Sequence, residues 1–345
     1  MHNDDHDDAS SASSAQHAYS ALTPDLVLDA LAGLGMYGDG RLMALGSYEN
    51  RVYQVSLEDG ARVVAKFYRP ERWSDAQILE EHAFALELAT AEVPMVAPLI
   101  INDRTLHHHA GFAFSVSPWR GGRTPELDDF ETLEWIGRFL ARIHTVGSKH
   151  PFVLRPTLDV QSFGIDSRDW LLSNQCIPLD QESGWRKACN EALAIITEKM
   201  NAHRFTQLRL HGDCHPGNVL WTPVDDNGHG HGGPHFVDLD DARMGPAVQD
   251  LWMLLSGERA QRSMQLSTLL EGYEQFRDFD RRELALIEPL RTLRLIHYSA
   301  WLARRYSDPI FPINFPWFGS SDYWRGQTDM LIEQIEAMQE EPLMV

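Results

Sequence analysis

The sequence predicts an α+β fold of two lobes: a small N-terminal lobe with an antiparallel sheet and one long helix, and a larger, mainly helical C-terminal lobe. Two observations support this. The 345 residues exceed the length of one compact core. β-rich runs are concentrated before residue 119, and helical periodicity dominates after residue 128. We expect an acidic disordered tail over 1–22, the small lobe over 23–118 and the large lobe over 119–345.

Composition excludes several classes of protein. The formal net charge of −20 argues against a nucleic-acid binder. No apolar run approaches the roughly 20 residues that span a bilayer, and the N-terminus lacks the basic and apolar regions of a signal peptide. The three cysteines form no CxxC pair. This usage indicates reduced thiols, so we expect a cytoplasmic protein with no membrane or nucleic-acid partner. The sequence is silent on oligomeric state, and a monomer is the default because two such lobes are self-sufficient.

The small lobe shows clear local signals. Thr-Pro at 23–24 predicts a short helix, and an Asp-Gly turn joins the β-rich runs 51–57 and 61–68 in a predicted hairpin. Apolar spacing predicts a helix over 74–91, which a Val-Pro pair ends. Two further extended runs follow, at 97–102 and 111–118.

The large lobe reads as helical, with one interruption. Around residues 209–243, two strand-like segments flank a polar loop. The predicted helices cover residues 130–145, 185–203, 247–257, 268–276 and 281–304.

The chemistry is concentrated in that interruption, where HGDCHPGNVLW (211–221) precedes HFVDLDDA (235–242). Two arms of a hairpin bring Asp213, Asn218 and Asp238 close together. Oxygen ligands of this kind suit Mg²⁺, which takes one or two carboxylates together with substrate phosphates. The remaining carboxylate can accept a hydroxyl proton, so the pattern predicts a phosphoryl-transfer site.

Other interpretations of the same residues remain open. Asp213 and Asn218 are also typical of a capped turn. The Gly-Asp-x-His element at 212–215 occurs in dinuclear metallophosphoesterases, but their further metal-binding elements are not found at usable positions. We expect His211 to support the loop backbone, and His215 is undecided. Cys214 is expected to be a small buried residue. The histidine clusters are expected to be surface groups rather than zinc ligands, at residues 107–109, 229, 231 and 235.

Two more parts of a kinase site occur in the expected order. His-x-Asp-x-x-x-x-Asn followed by an apolar-flanked Asp is the pattern of a kinase catalytic loop. Upstream, RVVAKFYRP supplies Lys66 on a predicted strand. The next helix carries Glu80 and Glu81, of which we prefer Glu81 as the partner of Lys66.

HGDCHPGNVLW and FVDLDDA resemble the aminoglycoside phosphotransferase and type II homoserine kinase superfamily, whose fold is protein-kinase-like. FVDLDDARMGPAVQDLWML, RPERWSDAQILEEHAFAL and FPINFPWFGSSDYW are similar to the stress response kinase A family of bacteria. The resemblance extends over residues 22–340. It implies a cytoplasmic, Mg²⁺-dependent kinase that uses ATP to phosphorylate Ser or Thr of proteins.

The resemblance also implies roles for individual residues. Asp213 would accept the proton, and Asn218 and Asp238 would bind Mg²⁺. Lys66 would bind the ATP phosphates, and Glu81 would orient Lys66.

Further roles follow from the same resemblance. Asp250 would brace the catalytic loop. LGSYENRVYQV departs from the G-x-G-x-x-G pattern, and its Ser47 would contact the phosphates. The adenine would lie near the connector 117–122.

The motifs leave the acceptor open. A kinase of an aminoglycoside, choline or homoserine would have the same catalytic parts, and a cationic substrate would fit the acidic chain. A pseudokinase is the non-catalytic alternative, although the intact base argues against it. The aromatic residues of 311–324 are predicted either to line a substrate cleft or to pack over the helical lobe.

Overall fold

The computed structural model describes residues 19–222 and 232–345. Its small lobe contains a five-stranded antiparallel sheet in the order β1-β2-β3-β5-β4, with α2 inserted after β3. Its elements are α1 (Pro24–Ala32), β1 (Gly38–Leu45), β2 (Arg51–Leu57), β3 (Arg62–Phe67), α2 (Asp75–Thr90), β4 (His107–His109) and β5 (Phe112–Pro118).

The predicted α+β fold is confirmed, and the predicted hairpin is β2 and β3, with Gly60 at φ +87° in its turn. The strand β1 was not predicted. It contains two glycines and is largely exposed, so it lacks the alternating apolar pattern of a half-buried strand. The predicted extended run 97–102 is wrong as a strand, because β5 pairs instead with His107–His109. Residues 97–102 contribute an isolated bridge and a few backbone contacts.

The sheet places Lys66 centrally. Lys66 pairs with Val52 on one side and Ser115 on the other. The helix α2 begins with a capping box, in which Ser74 and Gln77 satisfy each other's backbone amides. The predicted helix 74–91 is therefore confirmed, and α2 carries Glu81 on its buried face.

The large lobe follows a connector that runs from residue 119 to residue 129. Its helices are α3 (Phe130–Gly147), α4 (Asp166–Ser173), α5 (Leu179–Ala202), α6 (Val248–Trp252), α7 (Arg259–Tyr273), α8 (Ile287–Arg304), α9 (Phe311–Asn314) and α10 (Ser321–Gln339). Its short strands are β6 (Leu208–Leu210), β7 (Val219–Thr222), β8 (Gly233–Phe236) and β9 (Arg243–Gly245), paired as β6 with β9 and β7 with β8.

Several predicted helix boundaries in the large lobe were wrong. The predicted helix 247–257 is only the five-residue α6, and the one at 268–276 begins earlier, as α7. Residues 281–286 form a 3₁₀ segment before α8. The helices α4 and α10 were not predicted, although the buried residues of α10 recur with helical spacing at positions 324, 331, 335 and 338.

Part of the predicted tail packs on the small lobe. The Tyr19 hydroxyl donates to the carbonyl of Glu49 at 3.0 Å, and Leu22 joins the small-lobe core. Residues 1–18 of that predicted tail lie outside the described residues, as do His229 and His231. Within the described ranges, no helix combines the length and apolar character that a bilayer span requires.

Candidate active site

The catalytic loop follows β6 and is fixed from behind by Asp250. The Asp250 carboxylate accepts the backbone amides of His211 at 2.8 Å and Gly212 at 2.9 Å. It also contacts Nε2 of His144 at 3.0 Å. Asp250, His144 and His211 are fully buried. Burial would raise the pKa of Asp250, but the His144 hydrogen bond and nearby positive charge lower it. Asp250 thus holds the loop as a buried anion, as the resemblance implied.

Gly212 is required by the close approach of two loops. Its φ is +86°, and a Cβ there would lie 2.2 Å from the carbonyl oxygen of Asp241. A larger residue would therefore push the loop that carries Asp213 away from the segment that carries Asp238.

The structure brings the predicted proton acceptor, Asp213, together with the two predicted Mg²⁺ ligands, Asn218 and Asp238. Asn218 ends a 3₁₀ turn, and its side-chain amide donates to the carbonyl of Asp213 at 2.9 Å. Its own carbonyl accepts the amide of Val237 at 3.0 Å, which places Asp238 beside it. Asp238 has a left-handed backbone, φ 64° and ψ 71°. Aspartate adopts this conformation more readily than most residues other than glycine.

Lys66 reaches this group from the small lobe. Its Nζ donates to Oδ1 of Asp238 at 2.8 Å and lies 3.3 Å from Oδ1 of Asp240. Burial would lower the pKa of Lys66, but Asp238, Asp240 and Glu81 outweigh it and hold that pKa well above its usual value. The lysine is therefore a permanent cation between the lobes.

Glu81 acts on Lys66 by charge, without forming an ion pair with it in the part of the chain that the structure describes. Among the described residues, Lys66 has ion pairs with Asp238 and Asp240 and none with Glu81. The expected Lys66–Glu81 ion pair is thus absent, and Asp238 and Asp240 are the partners of Lys66 instead. Burial raises the pKa of Glu81 to about 7, although the charges of Lys66 and Arg155 oppose that rise. Glu81 acts on the lysine through charge.

Glu80 has a different task. Its carboxylate accepts the backbone amides of residues 153, 154 and 155, at 2.5, 2.9 and 2.7 Å. It links α2 to the large lobe. Among the described residues neither glutamate forms an ion pair with Lys66, and Glu81 is the one whose charge acts on it.

Arginines that the sequence analysis missed neutralise Asp240 and Asp241. Arg72 forms ion pairs with both carboxylates, and Arg243 contacts Asp241 at 2.6 Å. Burial would raise the pKa of Asp240, but the charges of Arg72 and Lys66 lower it to about 2. Arg72 follows β3 by a few residues, so the sequence could have indicated it as a candidate. The sequence could not indicate its partners, Asp240 and Asp241, which are distant along the chain.

The loop 46–50, between β1 and β2, faces the catalytic loop across the cleft. Ser47 lines the cleft. Glu49 accepts hydrogen bonds from Nε of Arg305 at 2.6 Å and from the indole of Trp301 at 3.0 Å. The hydroxyl of Tyr48 donates to Asp308 at 3.0 Å. The predicted phosphate-covering loop is therefore attached to the large lobe at two points.

The two loops border one cleft of about 780 Å³. Four predicted residues line it, and they are Ser47, Asp213, Asn218 and Asp238. Lys66 joins them through its ion pair with Asp238.

An unpredicted arginine also lines the cleft. Nη1 of Arg294, on α8, lies 2.7 Å from Oδ1 of Asp213. This cation balances the carboxylate that is the predicted proton acceptor.

The remaining residues of the motif have supporting positions. Nε2 of His211 contacts the carbonyl of Val237 at 3.0 Å, joining the two loops as expected of a backbone support. Nδ1 of His215 accepts the amide of Gly217, and its Nε2 lies 3.6 Å from Asp213. Burial raises the pKa of the Cys214 thiol well above its usual value, so Cys214 is a buried neutral residue.

The aromatic run packs rather than lining the cleft. Phe311 is fully buried, and Phe315 contacts Tyr48 edge-on, with ring centroids 4.9 Å apart. The aromatic side chains that do line the cleft include Tyr298 and Trp301 of α8. The run therefore supports the loop that carries Ser47.

The donor set fits a hard divalent cation. Asp238 and Asn218 offer oxygens at the cleft, and the Asp238 side chain remains 41% exposed beside Lys66. In the part of the chain that the structure describes, no group of three or more His, Cys, Asp or Glu has the arrangement of a metal site. A cation held by one carboxylate and one amide, with substrate phosphates completing its coordination, matches the preference of Mg²⁺.

A lysine on the central strand of a small sheet, facing an aspartate-bearing loop of a helical lobe, defines the two-lobed phosphotransferases. The model of the phosphotransferase enzyme family matches residues 42–287. Stress response kinase A of Escherichia coli (strain K12) is 50% identical over 327 residues, 95% of this chain and 97% of that protein. The serine/threonine protein kinase RdoA of Salmonella typhimurium is 48% identical over the same shares. The chain therefore belongs to the phosphotransferase enzyme family and, within it, to the stress response kinase A family, and it is a kinase.

Solved structures share the fold. An amicoumacin kinase, described in complex with AMP-PNP, Ca²⁺ and Ami, superimposes with a TM-score of 0.68 at 19% identity, over 93% of this chain and 94% of that one. A spectinomycin phosphotransferase gives 0.64 at 13% identity, over 92% and 99%. These similarities agree with the two-lobed kinase fold predicted from the motifs.

Proposed function

We propose that this kinase transfers the γ-phosphoryl group of ATP, with Mg²⁺, to Ser or Thr hydroxyls of proteins. The observation that supports the proposal is the cleft, which is lined by Ser47, Asp213, Asn218 and Asp238. Lys66 belongs to the same site because its ammonium group donates a hydrogen bond to Asp238. The names of the relatives support a protein acceptor and a role in a bacterial stress response. The cytoplasm is the proposed location.

Each side chain has a separate part in the transfer. Lys66, a permanent cation, would bind the phosphates, and Ser47 would cover them from the opposite loop. Asp213 would orient the acceptor hydroxyl and take its proton at Oδ2, since Arg294 occupies Oδ1. Asn218 and Asp238 would hold Mg²⁺, which supplies charge neutralisation when bound.

The test is phosphate transfer from radiolabelled ATP to a generic protein acceptor. Asp213→Ala and Asp238→Ala should each lower kcat by about 10²–10⁴-fold, as expected for loss of a proton acceptor or of a charge-stabilising group. Asp322→Ala is the control, since its side chain is 87% exposed and is not among the residues that line the cleft. If both variants match the wild type, the site is assigned wrongly.

The same assay separates the alternatives. Choline, homoserine and an aminoglycoside should be offered beside the protein acceptor. Labelling of one of these without any labelling of protein would identify a small-molecule kinase. A wild-type protein that binds ATP and labels no acceptor would identify a pseudokinase.

A further inference from the structure

One face of α8, with the C-cap residue Arg305 that follows it, forms a wall of the cleft. Its residues recur every three or four positions, the spacing of a single helical face. The members that line the cleft are Leu290, Arg294, His297, Tyr298, Trp301, Arg304 and Arg305. This wall combines positive charge with aromatic surface, although the whole chain carries −20.

The three arginines on this wall differ in what they bind. Arg294 is paired with Asp213, and Arg305 with Glu49. Arg304 is exposed, and its guanidinium lies 4.9 Å from the ring centroid of Trp170. Asp166 acts on it by charge, but no ion pair joins Arg304 to any carboxylate among the described residues. Arg304 is therefore the cation of this wall that a ligand can bind.

Acidic side chains at the cleft are already neutralised. Asp240 and Asp241 are bound by Arg72 and Arg243, and Asp213 by Arg294. His297 adds no charge at neutral pH, because burial and the charge of Arg243 lower its pKa to about 3. A cationic acceptor would therefore find no free carboxylate on the α8 wall and would meet Arg304.

We propose that the cleft selects a protein segment in which an acidic side chain lies about four or five residues from the Ser or Thr, and that Arg304 binds that acid. This rests on the proposed protein kinase function. Arg294 contacts Asp213, the proposed proton acceptor, so the Ser or Thr hydroxyl of the acceptor would bind close to Arg294. Arg304 is ten residues further along the same helix, about 15 Å away. An extended chain advances about 3.3 Å per residue and covers that distance in four or five residues.

The proposal is tested with full-length enzyme, ATP, Mg²⁺ and neutral peptides that contain one Ser. Asp, Ala or Lys is placed three to six residues away on either side. Wild type should favour Asp over Ala by about 5- to 10-fold in kcat/KM at the best position, the size expected for one exposed ion pair of about 1 kcal/mol. Lys should be the poorest.

Variants of the arginine make the test specific. Arg304→Ala should abolish the preference, Arg304→Glu should reverse it towards Lys, and Arg304→Lys should keep most of it. Arg325→Glu is the matched control, because it makes the same charge change on α10, outside the residues that line the cleft. This control should leave the Asp-to-Ala ratio unchanged.

The outcomes separate this proposal from the kinase assignment. If peptides are phosphorylated with equal efficiency, or Arg304→Ala keeps the preference, selection by Arg304 is wrong and the protein kinase function stands. If a generic protein is labelled and no peptide is, binding of an extended segment is wrong. If only choline or an aminoglycoside is labelled, the protein kinase function fails and this inference fails with it.

Discussion

The two sides of the cleft are held in different ways. On the large-lobe side, buried hydrogen bonds to Asp250 fix the catalytic loop from behind. On the small-lobe side, charged contacts position the loop 46–50 and Lys66, and most of them cross to the large lobe. The charged groups are also largely buried, so salt screens them only weakly, but they depend on the protonation of the side chains around them. The catalytic loop should therefore be held constantly, and the nucleotide side should respond to pH, because the pKa of Glu81 beside Lys66 is raised to about 7.

The largest effect should come from the buried brace. Asp250→Asn replaces an acceptor of three hydrogen bonds with an amide whose NH₂ faces donors. We expect a loss of about 3 kcal/mol or more in the free energy of unfolding, measured by urea denaturation. Activity should fall even where the variant remains folded.

Asp322→Asn is the control for that change, since its carboxylate is exposed. It should alter the free energy of unfolding by less than about 0.5 kcal/mol. A fully stable Asp250→Asn variant would show that hydrogen bonds to the Asp250 carboxylate do not hold the catalytic loop in place.

A second, smaller effect concerns the carboxyl behind Lys66. Because the pKa of Glu81 is raised to about 7 in the folded state, that state binds more protons than the unfolded one between about pH 4.5 and 7. Its contribution to stability is complete below that window and is lost as pH rises through about 7. Glu81→Gln, which stays neutral, should therefore gain stability relative to wild type between pH 5 and 8, by on the order of 3 kcal/mol.

Urea denaturation of both proteins at the two pH values measures this. Glu126→Gln, an exposed substitution of the same kind, should show the same difference from wild type at each pH. A difference between Glu81→Gln and wild type that does not change with pH would mean that Glu81 is ionised throughout and is a full partner of Lys66.

The smallest effect should come from the phosphate-covering loop. Glu49→Gln weakens its attachment to Arg305 and Arg69. We expect KM for ATP to rise about 10-fold with kcat nearly unchanged, a loss of about 1.4 kcal/mol. Because the Glu49 and Arg305 side chains are each only 11% exposed, this difference should change little with salt.

Glu340→Gln, which breaks an exposed ion pair with Arg259, is the matched control and should leave KM unchanged. An unaltered KM in Glu49→Gln would show that the loop is positioned by its backbone alone.

Local signals carried much of the prediction. The Asp-Gly turn, the capped helix α2 and the spacing of Asp213 and Asn218 are set by neighbours within a few residues, so sequence alone revealed them. A phosphoryl-transfer site was predicted from the order along the chain of Lys66, Glu81, Asp213, Asn218 and Asp238. The strand β1 escaped prediction, because its largely exposed sequence has no alternating apolar pattern and pairing with β2 stabilises it.

The sequence by itself determined the parts of this kinase: the lysine, the candidate base, the oxygen ligands and the hairpin that joins them. Only the tertiary structure decided their partners. Lys66 pairs with Asp238 and Asp240 rather than with Glu81, and Arg294 reaches Asp213 from 81 positions away along the chain. The reason is physical. A charged side chain binds whichever opposite charge the fold places nearest, and no local pattern encodes that distance.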